Sequence, residues 1–70
     1  MMTEKLVERL IKEDAEFRRA YRAHQEYERM VERMEEKKYL TPEEEVEKKR
    51  LKKLKLAMKD KMESIILKHR

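Results

Sequence analysis

The side chains with chemistry to offer are two histidines and a run of cations. His24 and His69 are the only histidines, so proton transfer or metal binding near neutral pH would rest on them. The basic run is Lys48, Lys49, Arg50, Lys52, Lys53, Lys55 and Lys59. Within it Lys48, Lys52, Lys55 and Lys59 follow i, i+4, i+7, i+11 and line one flank of a helix. Such a flank can track the phosphates of a nucleic acid or an acidic membrane surface. It can equally be a solvated flank that complements an acidic helix. No aromatic residue is interleaved with it to stack on bases.

Other chemistries lack their residues. Cysteine and glycine are both absent. That removes disulfides, thiolate metal sites, Gly-rich phosphate loops and the nucleophile elbow. Catalysis needs a positioned nucleophile or acid–base pair in a pocket that excludes water, which a pair of helices does not readily enclose. The expectation is a protein that is not an enzyme, with no catalytic, cofactor-binding or metal-binding residues and no cofactor. His24 then serves as a histidine at a helix interface, or as a pH-sensitive element.

The elements that position these groups are long helices. Charged residues make up 51% of the chain, with both signs interleaved among regularly spaced apolar residues. That pattern suits solvated helices more than disorder. The clearest punctuation is Leu40-Thr41-Pro42-Glu43-Glu44. Thr41 suits the N-cap, Pro42 the first helical position, and Glu44 completes a capping box. Glutamates in the first turn favour the positive end of the helix dipole, and Lys37 and Lys38 suit the end of a preceding helix. These signals predict a first helix over about 3–38, a turn at about 39–41 and a second helix over about 42–68.

Apolar positions of the first helix recur every seven residues. Leu10, Phe17, His24 and Val31 hold one register; Leu6, Ala20, Tyr27 and Met34 hold the other, interrupted at Glu13. A sustained seven-residue repeat implies helix–helix packing. Asp14 is a candidate internal break, since Asp is a better cap than interior residue. The second helix carries Leu51, Leu54, Met58, Met62 and Ile65 on its main stripe. Leu56 and Leu67 lie on the opposite face, and a second apolar strip implies a second partner. Met30, Met34, Met58 and Met62 stand at helical spacing and fit a core or an adaptable surface.

A short connection between long helices implies an antiparallel two-helix hairpin, all-α and coiled-coil-like. Charge agrees. Residues 1–45 hold ten basic and thirteen acidic side chains, net −3; residues 46–70 hold ten and three, net +7. A turn near Leu40 sets Tyr27 opposite Leu54, Val31 opposite Leu51, Phe17 near Ile65 and His24 near Leu56–Met58. His69 falls at the open end, too far from His24 to share a metal.

Asp14 to Glu35 reads DAEFRRAYRAHQEYERMVERME, and Lys48 to Met62 reads KKRLKKLKLAMKDKM. Together they resemble the YdcH-like family of small bacterial proteins of unknown function. The matching features are Asp14, Phe17, His24 and Tyr27-Glu28, then Leu51-Lys52-Lys53 and Lys55 to Asp60. Tyr27 and Met58 stand where many members carry Leu. Ala15 stands where many carry Pro, which weakens the case for a break at Asp14. The resemblance implies a helical hairpin and brings no activity. It makes Phe17, His24 and Lys59-Asp60 candidates for packing or an interface.

A chain of 70 residues without disulfides is marginally stable alone, so self-association is expected. The expected state is a homo-oligomer, a dimer by preference, with a four-helix core and an interface of Phe17, Tyr21, His24, Tyr27, Leu54, Leu56, Met58 and Met62. The expected role is protein–protein interaction through helical surfaces, with a helical protein as a further partner. The alternative is a nucleic-acid-associated protein using Lys48, Lys52, Lys55 and Lys59 as anion contacts. No apolar run approaches the roughly 18 residues that cross a bilayer. The opening MMTEKLVERLIKED mixes acids with apolar residues and has no small-residue cleavage site, unlike a signal peptide. The expected location is the cytoplasm.

Overall fold

A computed structural model describes residues 4–69, which form three α-helices and no strand. They are α1 (Glu4–Glu13), α2 (Ala15–Glu35) and α3 (Pro42–Lys68). The all-α expectation is met, and the two-helix hairpin is corrected to three helices. The expected helix start at Thr3 lies outside the described residues.

The first long helix divides at Asp14. This residue leaves helical geometry, with φ −115° and ψ 108°, and becomes the N-cap of α2. Its carboxylate accepts from the Phe17 N–H at 3.0 Å. Arg18 completes the corner from the other side. Its guanidinium donates to the carbonyls of Ile11 (3.0 Å) and Lys12 (3.3 Å), which end α1. The Asp14 N–H still reaches the Leu10 carbonyl at 2.8 Å, and the Arg18 N–H the Asp14 carbonyl at 3.0 Å. Most backbone groups orphaned by the bend thus find partners, so it costs little.

The bend folds α1 back over the end of the α2–α3 pair. Val7, Ile11 and Tyr21 line one surface hollow. In a straight helix Val7 and Tyr21 would lie about 21 Å apart along the axis. Leu10, Phe17, Ile65 and Ile66 form a buried cluster, flanked by Leu6, Val7, Ile11, Tyr21 and Met62. All three helices thus contribute to the core at this end. Ala20, Val31 and Leu51 are buried along the rest of the α2–α3 contact.

Ion pairs give the direction of α2 against α3. Glu35 lies 4.0 Å from Lys48, Glu28 4.0 Å from Lys55 and Glu16 3.5 Å from Lys61. Residue numbers fall on α2 as they rise on α3, so the two helices run antiparallel.

The connection spans residues 36–41, so the turn is longer than expected and α2 stops three residues early. No described residue has positive φ. Without glycine the chain lacks the left-handed helix ending that allows a sharp reversal, and it unwinds over six residues instead. Lys37 and Lys38 therefore sit in the connection. The start of α3 follows the sequence signals: the Thr41 hydroxyl accepts from the Glu44 N–H, and the Glu44 carboxylate accepts from the Thr41 N–H, both at 3.1 Å. Pro42 stands in the first turn.

Candidate interaction surface

The residues singled out as an interface divide into three environments. Phe17 is only 1% exposed, held between α1 and α3, and its ring stacks on Tyr21 with centroids 6.5 Å apart. It has almost no surface left to offer another chain. Tyr21, His24, Tyr27, Leu54, Met58 and Met62 are half-buried along the seams between helices. Leu56 is 55% exposed on the outer side of α3.

Two shallow hollows flank α2 and α3. One, of about 170 Å³, is mainly apolar and is lined by Val7, Phe17, Tyr21, His24, Lys59, Met62, Glu63 and Ile66. The other is lined by Glu16, Arg19, Ala20, Ala23, Met58 and Lys61. His24 and Met58 thus line different hollows. His24, expected near Leu56–Met58, shares its hollow with Lys59 and Met62, next along α3. The cross-helix pairs Glu35–Lys48 and Glu28–Lys55 sum to 83 and Glu16–Lys61 to 77, on either side of the 81 that a turn centred near Leu40 gives.

The four lysines of the basic flank are also divided. Lys48 and Lys55 are half-buried and face the carboxylates of Glu35 and Glu28. Lys52 and Lys59 are exposed. His69 lies at the end of α3, its Nε2 3.8 Å from Asp14 Oδ2. Among the described residues no group of three or more His, Asp or Glu is placed to hold a metal. None of their helices is long and apolar enough to cross a membrane.

Two carboxyl groups have shifted acidities. A hydrogen bond from Arg29 and its charge hold Glu26 below the ordinary value of 4.5. A hydrogen bond from Lys37, then one from the Thr41 N–H, hold Glu44 below that value. Both stabilise the ionised form. Lys37 is thus a tie between the connection and the first turn of α3.

Some contributors have weak sequence signals. Ile66 is buried but adjoins the expected stripe residue Ile65; its position four after Met62 is the signal that marks it. Val7 and Ile11 reach the core because α1 folds back. Their spacing with Leu6 and Leu10 marks an apolar face but not what it meets. Arg18 looks like any surface arginine until the bend is known.

A family model described as "Protein of unknown function (DUF465)" matches residues 17–66. The match takes in α2 from Phe17 and α3 as far as Ile66, with α1 and Asp14 outside it. The YdcH-like resemblance is consistent with it. No curated protein and no solved structure matches the chain.

Proposed function

The chain belongs to the DUF465 family of proteins of unknown function, and we propose that it is a non-enzymatic protein–protein interaction module that associates with itself through helical surfaces. One observation carries this reading. Helix α3 is apolar on two sides. It buries Leu51, Ile65 and Ile66, yet Val46, Leu56 and Leu67 are 69%, 55% and 62% exposed. A helix with a second apolar strip has a use for a second helix. The half-buried hollow beside Tyr21, His24 and Met62 adds apolar surface on another side.

A nucleic-acid reading has less to rest on, because Lys48 and Lys55 already face carboxylates of α2. The reading is tested by absolute mass in solution, from light scattering on a sizing column at low salt. The expected result is a multiple of 8.8 kDa, with twice that mass favoured. A mass of 8.8 kDa with full helix content, at every concentration tried, overturns self-association. Nucleic-acid binding that weakens steeply with salt, and is lost on neutralising Lys52 and Lys59, would point to the other reading.

A further inference from the structure

We propose that the outer face of α3 binds a second copy of this chain, antiparallel to the first, with Leu56 on the two-fold axis. The inference rests on the self-association reading and names the surface that performs it.

Val46, Lys49, Lys53, Leu56, Asp60, Glu63 and Leu67 follow one another at spacings of three and four, alternating without interruption. This is the spacing of the seam through which one helix packs on another. All seven residues are exposed. The seam runs for about 32 Å along a single unbroken helix.

Its charges are ordered by position. Lys49 and Lys53 occupy the N-terminal half, Asp60 and Glu63 the C-terminal half, and Leu56 stands between them. A parallel copy would set each charge against its own kind. An antiparallel copy, turned about Leu56, sets Lys49 opposite Glu63 and, to within one residue, Lys53 opposite Asp60 and Val46 opposite Leu67. Two-fold symmetry makes each of these pairings twice, and Leu56 meets its own copy once. One face therefore matches itself in charge and in apolar position.

The charges are also uncommitted. Some charged side chains of α3 have partners within the chain: Arg50 with Glu47, Lys48 with Glu35, Lys55 with Glu28 and Lys61 with Glu16. Lys49, Lys53, Asp60 and Glu63 make no ion pair with any described residue. The two lysines stand four apart and the two acids three apart, so each half of the seam carries like charges side by side, which disfavours the isolated helix. An antiparallel copy offsets both repulsions with attractions across the seam. With so few apolar contacts, this association weakens as salt screens the charges.

The test compares light-scattering mass at low salt for the wild type and three variants: Leu56→Asp, Lys49→Glu with Lys53→Glu, and Asp60→Lys with Glu63→Lys. All five positions are exposed in the single chain, so helix content measured by circular dichroism should not change. The wild type should run at twice 8.8 kDa and each variant alone at 8.8 kDa. Mixing the two charge-reversed variants in equal amounts should restore the doubled mass. If the variants keep the wild-type mass, this surface is not the interface, while self-association elsewhere on the chain survives; if the variants are monomeric and their mixture stays at 8.8 kDa, the antiparallel charge pairing is overturned. A monomeric wild type overturns both readings. Direction is read by oxidative cross-linking, which the lack of native cysteine makes clean. Val46→Cys mixed with Leu67→Cys should cross-link to each other in preference to themselves, and the opposite preference excludes the antiparallel arrangement.

Discussion

At the corner between α1 and α2, Asp14 and Arg18 do complementary jobs. One caps the N–H groups that begin a helix, and the other caps the carbonyls that end the preceding one. Asp14→Ala should lower stability by about 1 kcal/mol, the usual cost of losing an N-cap, as read by urea denaturation. Phe17 matters more. It is buried between all three helices, and Phe17→Ala should cost about 3–5 kcal/mol through lost burial and the cavity left behind. Chemical denaturation would show a large shift of the midpoint, or a chain unfolded in water. Glu44 makes stability depend on pH. Its folded value lies below the ordinary 4.5, so its contribution is fully present above that pH and is lost as pH falls through the folded value. Glu44→Gln should flatten this part of the acid-unfolding curve while keeping an oxygen for the capping box. An unchanged curve would mean that Lys37 and Thr41 do not hold the carboxylate as described.

Much of the element scale was legible in the sequence, because caps and periodicity are local. The Thr41–Glu44 box needs four residues in a row, and α3 runs over the expected 42–68. The break at Asp14 was harder to read. Only one residue leaves helical geometry, and Leu10 and Phe17 keep their seven-residue spacing across it, so the pattern scarcely registers the bend. The end of α2 was misplaced for the opposite reason. Lys37 and Lys38 look like the end of a helix, but a reversal without glycine needs more length. Thr41→Ala removes one half of the capping box and should cost about 1 kcal/mol, seen as a lower melting temperature. The loss should be smaller if Glu44 alone secures the first turn.

On the scale of the whole molecule, the described residues measure 43 × 22 × 16 Å, and α3 alone accounts for most of the long axis, at about 40 Å. The charge asymmetry between the two parts of the sequence reappears as cross-helix pairs, each exposed enough to add little. The expected interface was only partly legible. Apolar spacing identifies residues that pack, but it does not separate packing within a chain from packing between chains. Phe17 serves the first purpose and Leu56 remains available for the second. Stability should also be uneven. Helix α1 has ten residues, too few to hold without its docking contacts. Hydrogen exchange should therefore be fastest in α1 and slowest around the middle of α2 and α3. Protection in α1 equal to that of α3 would mean that the three helices open as one unit.

The six-residue connection carries one more consequence. Lys38 and Tyr39 are exposed there, Tyr39 at 84%, on backbone outside any helix. Such a stretch is where a protease cuts first. A single cut there would leave α1–α2 and α3 as separate polypeptides, each carrying half of the same buried seam. The two pieces should stay together in native buffer and part only in denaturant.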